Sequence, residues 1–168
     1  MKTLAKTYIE ANLRYIENLY NRAKTPQKSL FFAKLAILEL CGWIEMSMDA
    51  IILRCAKQHV KVPTNKKYLE NVIIRTHGFE YDRHFREMLI RVVGLKSVER
   101  IERSLNPIQF QKLNVALTAL KAHRDPQAHT YIKGTTAILD APSVTKSRFN
   151  DVYNGLTDFD RTMRRLGF

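Results

Sequence analysis

Apolar residues recur along this chain at three- and four-residue steps, the spacing that lines one face of an α-helix, and no segment sustains the period of two that marks a half-buried strand. A first helix is expected over about Thr3 to Asn21, with Leu4, Tyr8, Ala11, Tyr15, Ile16 and Leu19 forming its apolar face. Thr25 followed by Pro26 has the chemistry of an N-cap and a first helical residue, and opens a long helix to about His59. Apolar side chains nearly encircle that helix, so it is expected at the centre, packed on several sides. The stretch Val62 to Lys67 reads as a loop, followed by shorter helices at about Lys67 to Arg75, Asp82 to Val93 and Lys96 to Ser104, with Gly78 and Gly94 suited to helix C-termini. Asn106, Pro107 and Gln109 make the clearest helix start in the chain, and Phe110, Leu113, Leu117 and Leu120 its buried seam. A loop is expected from about Ile132 to Ala141, within which Thr135 to Leu139 suits one short extended piece. A last helix from about Ser143 to Arg165 turns Val144, Phe149, Val152, Leu156, Phe159 and Met163 inward. The expected architecture is all-α: a helical bundle with long central helices and additional short ones, in a single domain over residues 1–168.

Composition changes this picture little. The chain has 168 residues, enough for one core, and only six Gly and five Pro with no repeat or linker, which suits one compact unit. Cys41 and Cys55 stand fourteen residues apart with no second pair or histidine cluster, so they read as buried thiols in a reducing compartment, with neither a disulfide framework nor a metal site indicated. The N-terminal twenty residues carry charges at every turn and lack the apolar stretch of a signal peptide. The most apolar segment, Leu30 to Ala56, is interrupted by Lys34, Glu39, Glu45, Asp49 and Arg54 at helical intervals, so it reads as a core helix; the protein is expected in the cytoplasm with no membrane partner.

Charge changes it more. A formal net charge of +12 attracts polyanions and makes their binding salt-dependent. The basic residues form no tail, so a nucleic-acid surface has to be assembled by folding; a basic protein with no such partner is the bland alternative.

Candidate chemistry lies where the Asn106 helix is expected to end. There the chain reads Ala122-His123-Arg124-Asp125-Pro126-Gln127-Ala128-His129-Thr130-Tyr131, an arginine and a histidine five positions apart with a tyrosine two beyond. The same spacing occurs at Arg54 and His59, but there both residues fall inside the long helix, where positions five apart point about 140° from one another. At Arg124 the backbone is expected to change course, because Pro126 has no N–H for the carbonyl of Ala122 and biases Asp125 away from helical geometry. Asp125 then caps a new turn, and His129 comes back toward the guanidinium.

With this motif the chain resembles the HEPN superfamily, small helical domains marked by R-x4-6-H with a polar residue after the arginine. Arg124, Asp125 and His129 match those positions. Tyr131 extends the match to the R-x4-H-x-Tyr form of HEPN toxins paired with nucleotidyltransferase antitoxins, while the surrounding RDPQAHTY is similar to HEPN domains of the RiboL-PSP group. The resemblance implies a metal-independent endoribonuclease that needs no cofactor, works in defence or toxin–antitoxin settings with RNA as substrate and an antitoxin protein as a further partner, and forms a homodimer whose two motifs share one cleft. It implies catalytic roles for Arg124, His129 and Asp125, and a Tyr131 that is either substrate-facing or the modified residue of a toxin pair. The residue types suit that chemistry: an imidazole moves protons at neutral pH, and a guanidinium holds a phosphate by two parallel hydrogen bonds.

Each residue also has a plainer reading. Asp125 serves equally as a helix cap, Tyr131 as a core or interface aromatic, and His123 as a helix-terminal histidine. Lys121 and Lys133 bracket the motif and suit an RNA backbone or plain solvent. Glu39, between Leu38 and Leu40, needs a cation if it is buried, and Arg124 is one candidate. His77 and His84 have no partner at ligand spacing and read as structural. The alternative function is a non-catalytic HEPN module that binds nucleic acid or a partner protein. Phosphate-loop, zinc-protease and nucleophile-elbow patterns do not occur in the chain.

Overall fold

In a computed structural model, residues 4–135 and 138–168 are described. They form seven α-helices and no strand: α1 (Thr7–Asn21), α2 (Pro26–His59), α3 (Pro63–Arg75), α4 (Arg86–Val93), α5 (Leu95–Ser104), α6 (Pro107–Ala128) and α7 (Pro142–Arg165). A π-helical turn, Tyr81–Phe85, leads into α4. The fold is therefore the all-α bundle expected. The short extended piece expected at Thr135 to Leu139 falls partly on residues outside the described ones.

The four long helices make the bundle, with α2 packed against α1, α6 and α7; of the shorter helices, α3 and α4 pack on α2 and on each other, and α5 packs on α4 and α7. Twelve residues of α2 are buried, from Ala33 to Ala56, and with the inner faces of the other helices they form one continuous core. Burial of this apolar surface, at roughly 25 cal/mol per Å², is the main force that holds the helices together. Phe31, Leu35 and Met46 are left as an exposed strip along α2.

Caps operate where the sequence places them. The Thr25 hydroxyl accepts from the backbone N–H of Lys28, and the Asn106 side chain accepts from Ile108 and Gln109. Of the first helix's expected face Leu4 and Ile16 are buried, but Ile9 and Leu13 complete it in place of Tyr8 and Tyr15, which are 82% and 64% exposed. Both faces carry apolar residues at helical spacing, and contact with α2 selects the aliphatic one over the aromatics. Val144 is likewise exposed, and α3 begins at Pro63 where a loop through Lys67 is expected, because Pro63 occupies the first helical position, where its missing N–H costs nothing. Cys41 and Cys55 are buried free thiols.

The segment between α3 and α4 positions the candidate site. Tyr81 and Phe85 are buried in a cluster with Phe110 and Phe159, at ring separations of 4.9 Å for Tyr81–Phe110 and 5.3 Å for Phe85–Phe159. The Tyr81 hydroxyl and the Arg86 Nε both donate to Glu102 Oε1 at 2.7 Å. Burial, then the hydrogen bond to the Glu102 carboxylate, push the Tyr81 phenol well above its ordinary range. This clamp to α5 holds the π turn, in which the N–H groups of both His84 and Phe85 donate to the carbonyl of Glu80.

Candidate functional site

The chain break expected at Arg124 is not present. Helix α6 runs through Pro126 to Ala128 and is capped by His129 at φ −114° and ψ 3°. Pro126 lies in the last turn, where it removes one intrahelical bond, to the carbonyl of Ala122 on the exposed side of the helix. The last turn has compensating ties, since the Thr130 hydroxyl donates to the carbonyl of Pro126 and Lys34 of α2 donates to the carbonyl of Thr130. Asp125 is consequently an intrahelical residue with no capping role; its carboxylate pairs with Arg124 at 3.3 Å and with Lys121 at 3.9 Å.

Arg124 is held from three directions. Its Nη2 donates to Glu45 Oε1 of α2 at 2.9 Å, Nη1 donates to Asp125, and the guanidinium carbon lies 5.8 Å from the centre of the Phe79 ring, a cation–π contact. Glu39 is not its partner. That carboxylate accepts from Asn12 of α1 at 2.7 Å, because six residues of helix turn Glu39 toward α1 and Glu45 toward α6. Beneath this pair burial pushes the Cys41 thiol up to about 12, with Arg124 pulling the other way. One turn beyond Glu45, burial and the Glu45 charge raise the Asp49 carboxyl to about 6, opposed by His77.

Beside Arg124 opens a polar cleft of about 390 Å³, framed by the segment from His77 to His84 on one side and Lys121, Arg124 and Asp125 on the other. Of the sequence-derived candidates, the structure thus brings together Arg124, Asp125 and Lys121. His129 is exposed, does not line this cleft, and has no hydrogen bond or ion pair among the described residues. Lys133 is exposed, and Tyr131 is 79% exposed, so a core role for that ring does not hold. His123 pairs with Asp140 at 3.1 Å, a carboxylate that Arg148 also binds.

The residues that sequence reasoning passed over are His77 and His84. Both face the cleft, although neither has a ligand-spaced neighbour in the chain. The one local signal is Gly78, whose φ of +130° favours glycine and whose missing side chain makes room for the His84 ring.

Among the described residues no group of three His, Cys, Asp or Glu side chains is placed to hold a metal ion, and no helix is long and apolar enough to cross a membrane. Comparison with protein-family models, with curated proteins and with solved structures finds no match to this chain.

Proposed function

We propose that this protein is a metal-independent endoribonuclease of the HEPN type, with Arg124 and His129 as its catalytic pair. The observation that carries the reading is the placement of Arg124: the motif arginine is locked by Glu45, Asp125 and Phe79 at the edge of an open, polar cleft in a chain of net charge +12. A guanidinium fixed in this way is preorganised to stabilise charge that builds on a phosphate. In the proposed reaction a ribose 2′-hydroxyl gives its proton to a base and attacks phosphorus, the bond to the 5′-oxygen breaks, and that oxygen takes up a proton. The imidazole of His129 carries one of those protons, a role worth about 10²–10⁴ in rate.

One subunit offers a single motif, so the reading includes a homodimer whose paired motifs complete the site. The exposed strip of Phe31, Leu35 and Met46, with Tyr8 beside it, is apolar surface for a second copy to cover. A toxin–antitoxin or phage-defence role, with an antitoxin protein as partner and Tyr131 and Lys133 facing the substrate, belongs to the same reading.

The exposed, unpaired state of His129 favours a second reading, a non-catalytic module that binds nucleic acid or a protein partner. Cleavage of single-stranded RNA in a metal chelator separates the two. The enzyme reading expects cutting by wild type and its loss in Arg124→Ala and His129→Ala, with dimer and melting temperature kept. Equal cutting by His129→Ala ends it, and binding without cutting by any of the three leaves the module.

A further inference from the structure

The cleft beside Arg124 contains more than the motif requires. His84 is fixed twice. Its Nδ1 accepts the backbone N–H of Glu80 at 3.1 Å, and its ring lies where a Cβ on Gly78 would come within 2.6 Å of Cε1 and 2.7 Å of Nε2. An imidazole that accepts at Nδ1 is, when neutral, a donor at Nε2, and that nitrogen has no hydrogen-bond partner among the described residues. The π turn places this donor in the same cleft as three cations, Arg83, Lys121 and Arg124. Two carboxylates accompany them in the lining: Glu80 lies 3.2 Å from Lys121 and 3.8 Å from both Arg83 and His84 Nδ1, and Asp125 pairs with Arg124, which Glu45 also binds from α2. With Glu45 counted, three cations meet three carboxylates, but only two of those carboxylates line the cleft; the free Nε2–H donor therefore favours an anion there, and the volume takes a phosphate together with its sugar.

We propose that this cleft is a phosphate subsite, in which His84 Nε2 and Lys121 hold a backbone phosphate of single-stranded RNA next to the one at Arg124. The identity of the phosphate as RNA rests on the function proposed above; the anion site itself does not. Both residues are binding groups here, and proton transfer stays with His129. Gly78 is required because any side chain would displace the His84 ring.

The test uses single-stranded RNA with 2′-O-methyl riboses, which binds but cannot be cut, followed by fluorescence anisotropy across a salt series. His84→Gln is expected to weaken binding about tenfold with an unchanged melting temperature. Lys121→Gln is expected to weaken it and to lower the salt slope by about one. Gly78→Ala should reproduce the His84 effect, and a matched Lys96→Gln on α5 should change affinity less than twofold. Unchanged RNA affinity in His84→Gln and Lys121→Gln, with no response of the His84 imidazole signals to inorganic phosphate, overturns the subsite, even if wild type cuts RNA and His129→Ala does not. Weakened binding in both supports it, even if wild type proves unable to cut and the nuclease reading fails. Inorganic phosphate, followed through the His84 imidazole signals by NMR, separates sources: binding of phosphate with RNA affinity untouched by either substitution overturns the assignment to RNA.

Discussion

The chain contains the same arginine–histidine spacing twice, and the two copies have opposite fates. Arg54, inside α2, donates from Nε to Asp160 at 2.9 Å and from Nη1 to the carbonyl of Phe168 at 2.9 Å, while Arg164 binds the other oxygen of Asp160. Its side chain is 14% exposed and that of Asp160 13%, so the pair is a nearly sealed tie between the end of α2 and the C-terminus. His59 takes no part in it and rests near the Phe168 ring, 6.0 Å away. Arg124 also holds two carboxylates, but these are 32% and 48% exposed and the assembly borders open space. Spacing alone does not make a site; what counts is whether the arginine's partners leave room for something else.

Substitutions can break or sharpen this contrast. The largest effect is expected from Arg124→Ala, which should reduce RNA cleavage by on the order of 10³-fold in a steady-state assay. Because its ion pairs are partly exposed, the same change should cost less than about 1 kcal/mol in a urea melt. Arg54→Ala should behave in the reverse manner, costing about 3 kcal/mol by leaving Asp160 nearly buried without its main partner, with cleavage per folded molecule unchanged. If both variants lose stability and neither loses activity, the contrast is void.

A smaller effect belongs to Asp49, on the Arg124 side. Its carboxyl is raised from 3.8 to about 6, so the folded chain keeps a proton that the unfolded chain has released. That contribution to stability is fully present below pH 3.8 and is lost as pH rises through about 6. Asp49→Asn should therefore flatten the stability profile over that window and gain about 1–2 kcal/mol at pH 7, read from denaturation midpoints. His59→Ala should be nearly silent, under about 0.5 kcal/mol with no change in activity.

Much of the fold was legible because its determinants are local. Thr25 with Pro26 and Asn106 with Pro107 start helices by chemistry contained within four residues, and the apolar seam of α6 follows from its own period. The site was only half legible. Lys121, Arg124 and Asp125 lie on one helix and were found, whereas Glu45 reaches Arg124 across 79 positions and His84 arrives through a π turn whose one local trace is Gly78. Pro126 misleads for a related reason. Its cost depends on where in the helix it falls, and in a last turn tied down by Lys34 and Thr130 that cost is one exposed hydrogen bond.

The wide turn at Tyr81–Phe85 has an evolutionary corollary. It carries a spare residue, and deleting one position there would let ordinary α-helical pairing close without a gap. Everything upstream would then swing about 100° relative to α4. A single codon loss would thus keep the helix count while turning both the His84 imidazole and the Tyr81 ring away from their present neighbours, so the donor and the aromatic clamp are lost together.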